Sequence, residues 1–196
     1  MKLLFLTNNP EVTSTLYDWL ITNGEEVLQS RIPVNAEFLL ENSIGFIISY
    51  NYSHLISRDV LGLLPHRIIN LHISLLPYNR GADPNIWSFI DNTPSGVTIH
   101  EIDEGLDTGD ILLQRTLDFD SDIETLRSSY KKLHKTIQTL FIDNWESIKT
   151  LRITPKKQSA GGSMHKKKDL LYLSDTIDYD ETVSQFLEKA KEYTGK

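Results

Sequence analysis

The 196 residues are 39% hydrophobic and 24% charged, enough apolar content for one domain with a substantial core. Cysteine is absent, which excludes disulfides and thiolate chemistry, and a net charge of −7 counts against a broad nucleic-acid surface. The opening MKLLFLTNNP turns polar too soon for a signal-peptide core and no later run reaches membrane-spanning length, so a cytoplasmic protein without membrane contact is expected.

Residues 2–7 (KLLFLT) read as a strand that ends in an Asn-Asn-Pro turn. Val12, Leu16, Trp19 and Leu20 then recur at helical spacing until Asn23-Gly24 stops the helix. Residues 26–29 suit a second strand, 36–41 a short helix, 45–49 a buried strand, 57–64 a helix and 67–72 another strand. Such alternation predicts an α/β protein with a parallel sheet, in which ligands bind beyond the carboxyl ends of the strands. Asn8, Tyr50, Asn51 and His72 all fall at such ends.

Further on, residues 84–91 suit a helix with Pro84 in its first turn, and 96–101 and 111–117 suit strands flanking an acidic loop. Ser121-x-x-Glu124 has the form of a capping box for a long amphipathic helix. Leu126, Tyr130, Leu133, Ile137, Phe141, Trp145 and Ile148 form its apolar face, for which core packing is the simplest explanation. KKQSAGGSMHKKKD, from Lys156, is basic and reads as a loop, and residues 180–193 suit a last helix with Val183, Phe186, Leu187 and Ala190 inward. The chain divides by composition into residues 1–153 and a C-terminal basic loop and helix, 154–196, packed on the same domain.

The chemistry concentrates between Ile68 and Gln114. Asn70 and His72 are two apart, so on a strand their side chains share a face. An amide beside an imidazole, with a carboxylate from another loop, can bind an oxyanion and move a proton. The loop Leu106-Asp107-Thr108-Gly109-Asp110 offers that carboxylate, although an acidic turn residue is usually solvated or caps a neighbour. The loop lacks the D-x-D-x-D-G order of a calcium hand and the chain has no H-E-x-x-H, so no metal is expected. His100 reads equally as a site residue or as a histidine packed on the sheet.

Asn70-Leu-His72, Ser74-Leu-Leu-Pro77, Arg80-Gly81, Gly96-Val-Thr-Ile-His100 and Gly105-Leu-Asp107-Thr-Gly109, in this order, resemble the folate-dependent formyltransferases. That family includes glycinamide ribonucleotide, methionyl-tRNA and nucleotide-sugar enzymes, and the resemblance runs more weakly over residues 1–150. It implies a Rossmann-like fold, a mainly parallel twisted sheet with helices on both faces. It also implies formyl transfer from 10-formyltetrahydrofolate to a primary amine, with Asn70, His72 and Asp107 catalytic. By the same resemblance His54, Leu55 and Ile56 would contact the pterin, and Asp103, Glu104, Gly105 and Leu106 would close its pocket. Thr7-Asn8-Asn9 lacks the Gly-Ser-Asn turn of a glycinamide ribonucleotide phosphate site. Tyr78-Asn-Arg80-Gly-Ala-Asp-Pro84-Asn-Ile-Trp87 looks more like the enzymes acting on nucleotide-linked amino sugars, with Asn8, Ser74, Tyr78, Asn79 and Arg80 on the acceptor side. Trp87 itself is expected to anchor its helix in the core.

The best-matched acceptor is thus a nucleotide-linked amino sugar, with a homodimer allowed. Glycinamide ribonucleotide, an amino acid or methionyl-tRNA are the alternative acceptors. A folate-binding module without turnover is the alternative of another class, and a mere binder would not need the Asn70, His72 and Asp107 set.

Overall fold

The computed structural model describes residues 1–194, so the last two residues of the expected 154–196 segment lie outside the described residues. In chain order the elements are β1 (Lys2–Leu6), α1 (Pro10–Thr22), β2 (Glu26–Ser30), α2 (Ala36–Glu41), β3 (Ile44–Tyr50), α3 (Arg58–Leu63) and β4 (Ile68–His72). They continue with β5 (Arg80–Gly81), α4 (Pro84–Ile90), β6 (Gly96–Glu101), β7 (Ile111–Thr116), α5 (Leu126–Lys149), β8 (Met164–His165), a 3-10 helix (Lys167–Leu173) and α6 (Val183–Thr194). The mainly parallel sheet expected from the strand–helix alternation is present. Six strands lie in the order β2-β1-β3-β4-β6-β7, and β1–β2, β1–β3 and β3–β4 pair in parallel.

The chain forms two compact units, the first built of Met1–His72, Ile99–Leu113 and Gln138–Gln158. Its inner strands are apolar on both faces, as central parallel strands must be: Leu3, Leu4, Phe5 and Leu6 are wholly buried, as are Phe46, Ile47 and Ile48. β2, at the sheet edge, is the polar EVLQS and stays partly exposed. Phe46 meets Trp145 edge-on with ring centroids 5.4 Å apart, and Trp145 stacks on Phe141 at 5.0 Å. Burial by itself would raise the pKa of Glu25. Hydrogen bonds from the Lys149 ammonium and Trp145 Nε1 outweigh it and hold the carboxylate below its ordinary value. The sheet order reverses direction at β1 and β3, which puts the switch point of the topology beside Asn8 and Asn51.

The second unit comprises Ile73–Thr98, Gln114–Ile137 and Ser159–Lys196. Its core is Ile86, Trp87, Leu126, Leu170, Leu173, Val183, Phe186 and Ala190. Trp87 therefore has the anchoring place expected of it. The basic loop is more ordered than its composition suggested. Its residues Met164 and His165 pair as β8 with Arg80 and Gly81 of β5, and the 3-10 helix follows directly. The His165 ring stacks on Trp87 at 3.9 Å, and its Nε2 lies 2.9 Å from Asp91 Oδ2, off the hydrogen-bond direction.

The capping box expected at Ser121-x-x-Glu124 is displaced by four residues. The Thr125 N–H donates to Ser128 Oγ at 2.9 Å and the Ser128 N–H to Thr125 Oγ1 at 3.0 Å, so Thr125 and Ser128 cap α5. Glu124 is almost wholly buried, and its charge has to be met by donors. Lys132 and Ser128, two turns and one turn further on, supply them and hold its pKa below the usual carboxylate value.

His134, on the unit-two half of α5, is buried beside Tyr130 with ring centroids 4.2 Å apart, and burial pushes its pKa down to about 4. An unfolded histidine titrates near 6.5. Between those values the unfolded chain binds the extra proton, so stability is complete above about pH 6.5 and falls as pH drops toward 4. At pH 5 His134 should cost about 2 kcal/mol relative to pH 7. Urea titrations at both pH values should show this loss in the wild type and a correspondingly smaller one in His134→Leu.

Candidate active site

The first unit gathers four polar side chains around the end of β4. Asn70 pairs with Ser49 across β3 and β4, which fixes its height in the sheet, and His72 is two residues on. His100 comes from the end of β6, and Asp107 from the loop between β6 and β7. Asn70 Nδ2 donates to Asp107 Oδ1 at 3.1 Å and approaches His100 Nε2 at 3.3 Å. The same Asp107 Oδ1 lies 3.4 Å from His100 Nε2, while Oδ2 lies 3.7 Å from His72 Nδ1. The second distance is that of a charge contact rather than a hydrogen bond. His72 and His100 face each other edge-on with centroids 6.3 Å apart.

The tautomer of His100 follows from its other nitrogen. Nδ1 lies 2.7 Å from the Glu101 carbonyl oxygen, so it carries the hydrogen, and in the neutral ring Nε2 presents a lone pair. Two acceptors, Nε2 and a carboxylate oxygen, would repel at 3.4 Å without a donor between them. The Asn70 amide is that donor, giving one hydrogen to each. This fixes which way the amide points, because its carbonyl facing an ionised carboxylate would be repulsive. With the amide so held, His100 belongs to the cluster. At 1% exposure it sits deeper than His72. The sequence left it undecided because the alternation in GVTIHE shows only that it lies on the face of Thr98, not what lies across from it.

The loop that presents Asp107 is sharply constrained. Asp107 adopts φ 52°, a left-handed conformation that L residues other than glycine seldom take. Asp103 Oδ1 accepts from the Gly105 N–H at 3.0 Å and the Thr108 hydroxyl at 2.6 Å. A Cβ on Gly109 would lie 1.8 Å from the Glu101 carbonyl oxygen, so only glycine fits there. The expected pocket-closing residues Asp103, Glu104, Gly105 and Leu106 thus form a built turn. Glu104 pairs with Arg58 at 2.5 Å, which ties this turn to the start of α3, two residues after Ile56. The structure therefore brings the 54–56 and 103–106 segments close together. Leu55 is 75% exposed and Leu106 38% exposed, while Ile56 packs partly into the core and His54 lies edge-on to Tyr52 at 5.1 Å.

Asn8, at the end of β1, donates from Nδ2 to the Arg31 carbonyl at 2.8 Å. Its Oδ1 accepts from the Ser53 N–H at 2.8 Å and hydroxyl at 2.9 Å. Its polar atoms hold together the chain after β1, β2 and β3. The Asn51 amide nitrogen, at the switch point, is buried without a hydrogen-bond partner among the described residues, and its backbone has φ 55°.

The second unit holds the other expected acceptor-side residues. Ser74 Oγ donates to the Tyr78 carbonyl at 2.8 Å. Asn79 has φ 54° and is wholly buried. Its N–H donates to Ser163 Oγ at 2.9 Å, its Oδ1 accepts from the same hydroxyl at 2.9 Å, and its Nδ2 donates to Thr93 Oγ1 at 2.7 Å. The Arg80 N–H donates to the Ser163 carbonyl at 3.0 Å. Asn79 therefore braces the turn, while Tyr78 and Arg80 are half-buried. Among the described residues no group of three or more His, Cys, Asp or Glu could hold a metal ion, and no helix is long and apolar enough to cross a membrane.

Comparison with known proteins agrees with this arrangement. Residues 22–144 match the family model described as formyl transferase. The methionyl-tRNA formyltransferase of Lachnospira eligens is 34% identical over 80% of this chain and 50% of its own length. The dTDP-4-amino-4,6-dideoxyglucose formyltransferase of Mycobacterium bovis is 35% identical over 65% of this chain and 55% of its own. The chain thus spans about half the length of these two curated relatives. A solved structure of the formyltransferase PseJ from Anoxybacillus kamchatkensis, in complex with UDP-4,6-dideoxy-4-formamido-L-AltNAc and tetrahydrofolate, superposes with a TM-score of 0.86. It is 41% identical, and the match covers 97% of this chain and 100% of that one. With the ordered motifs, the folded cluster and the matched family model in agreement, this chain belongs to the formyl transferase family.

Proposed function

We propose that this protein transfers a formyl group from 10-formyltetrahydrofolate to the primary amine of a nucleotide-linked amino sugar. The observation that carries the chemistry is the set of Asn70, His72, His100 and Asp107 at the end of β4, with both histidines buried and the other two half-buried. The likeness to PseJ over its whole length supports the acceptor, because that complex holds a formamido sugar on UDP together with tetrahydrofolate. A uridine diphosphate sugar with a free amine at carbon 4 is therefore the first acceptor to try. A cytoplasmic location and a homodimer belong to the same reading.

In this mechanism the neutral amine nitrogen attacks the formyl carbon and a C–N bond forms. The carbonyl oxygen becomes an oxyanion, for which Asn70 Nδ2 and His72 are the donors. The His100 leg of the Asn70 amide is the longer of its two contacts, so that hydrogen turns to the oxyanion while the bond to Asp107 keeps the amide in place. The proton lost by the amine passes through His72 and Asp107, or a bound water, to N10 of the folate. The bond from N10 to the carbon then breaks, releasing tetrahydrofolate and the formamide. The 3.7 Å spacing of His72 and Asp107 shortens when the substrates close the site, as catalytic hydrogen bonds commonly do.

His72→Ala, Asn70→Ala and Asp107→Ala should each lower kcat at least tenfold with the fold intact and tetrahydrofolate affinity little changed, since a typical oxyanion donor is worth about 10²–10³ in rate. Near-normal kcat in folded His72→Ala would refute the mechanism.

Arg80 is the cation placed by sequence for the compact diphosphate of the acceptor. Arg80→Ala should raise the acceptor KM at least fivefold and leave the folate Kd within twofold. A panel of uridine and thymidine diphosphate amino sugars, glycinamide ribonucleotide, an amino acid and methionyl-tRNA decides the acceptor. Turnover confined to any of the last three overturns the sugar assignment and leaves formyl transfer standing.

A further inference from the structure

The stretch after Thr154 stands out in sequence only as basic and glycine-containing, and neither the donor nor the acceptor assignment gives it a role. Gln158, within it, makes a specific contact. Its Nε2 donates to two carbonyl oxygens of the loop between β6 and β7, that of Asp107 at 2.8 Å and that of Gly109 at 2.9 Å. Both hydrogens of one side-chain amide are thus spent on the loop that carries the candidate catalytic carboxylate.

The base of this contact is itself fixed. Lys156 and Ile111 form an isolated antiparallel bridge, with the Ile111 N–H donating to Lys156 O at 2.7 Å and the Lys156 N–H to Ile111 O at 2.8 Å. Gln158 therefore reaches the loop from two residues beyond a backbone anchor. On the other side the loop rests on β6, where Gly109 leaves no room for even a Cβ against Glu101 O. Between these two supports Asp107 keeps its left-handed φ of 52°. Its carbonyl is held by Gln158 and its carboxylate by Asn70, so the two ends of one strained residue are fixed from opposite directions.

We infer that Gln158 is a positioning residue for formyl transfer: by clasping the carbonyls of Asp107 and Gly109 it holds the backbone conformation that aims the Asp107 carboxylate at Asn70, His72 and His100. The kinetic consequence rests on the formyl-transfer reading, whereas the clasp rests on the hydrogen-bond geometry. Without the amide, two carbonyls lose their donor and Asp107 can relax toward an ordinary backbone region, carrying its carboxylate away from the other three groups.

Gln158→Glu is the decisive variant, because it keeps size and shape and replaces the donor by an acceptor aimed at two carbonyl oxygens. Gln158→Ala removes the group altogether and serves if the Glu variant folds poorly. Both should lower kcat at least tenfold, the Glu variant no less than the Ala variant, with acceptor KM and tetrahydrofolate Kd within twofold of wild type. In the unliganded protein, hydrogen exchange at the amides of residues 103–111 should quicken at least tenfold in both, with β1 and β3 unchanged. Wild-type kcat together with unchanged exchange in Gln158→Glu would overturn the assignment. If the wild type formylates no amine in the panel, the functional reading fails, and exchange at 103–111 in the same variants still decides the clasp.

Discussion

One carboxylate sets the order of the candidate site. Asp107 faces an amide and two imidazoles, and an amide can satisfy only as many acceptors as it has hydrogens. Because His100 spends Nδ1 on the Glu101 carbonyl, its Nε2 takes one hydrogen of the Asn70 amide while Asp107 takes the other. The orientation of Asn70 is therefore set by two acceptors, one held by β6 and one by the restrained loop after it. A group so held needs little reorganisation when charge develops nearby, which is the physical basis of electrostatic preorganisation.

The scaffold makes that precision possible. β1 and β3 are buried on both faces, and β4 takes its register from β3, so Asn70 and His72 ride on the least deformable part of the first unit. Loops carry the opposite risk, since their backbone polar groups and left-handed residues have to be restrained one at a time. In this loop the restraints are Asp103 on Gly105 and Thr108, Gly109 against Glu101, and Gln158 from far along the chain. One strand supplies two members of the cluster, β6 supplies His100, and a restrained turn supplies the fourth.

Much of this is legible in the sequence because local rules govern it. Apart from the two-residue β5, the strands and helices through residue 117 follow from alternation, apolar runs and the Asn-Gly and Pro signals, with boundaries displaced by only one or two residues. The Asn70 and His72 pair is readable because two residues on one strand share a face whatever lies around them. What could not be read depends on distant partners. The capping box moved to Thr125 because burial of Glu124 gave its carboxylate other donors, and burial is a tertiary fact. His100 joined the cluster through a strand pairing whose register no local pattern encodes. Gln158 reaches Asp107 across 51 residues and lies in a stretch whose composition suggests only solvated loop.

The bracing of Asn79 by Ser163 has a consequence for how the protein is made. The two residues are 84 positions apart, and until Ser163 has been synthesised the Asn79 amide, destined for complete burial, has to stay hydrated. At translation rates of roughly 5–20 residues per second that interval is on the order of ten seconds. The strands of the first unit through β4 are complete in the chain before the interval begins, whereas the turn bearing Arg80 takes its final shape only once Ser163 has been added. The segment proposed for acceptor recognition is thus completed after the strands that carry Asn70 and His72, and a nascent protein passes through a stage with those two residues in hand and no ordered turn at Arg80.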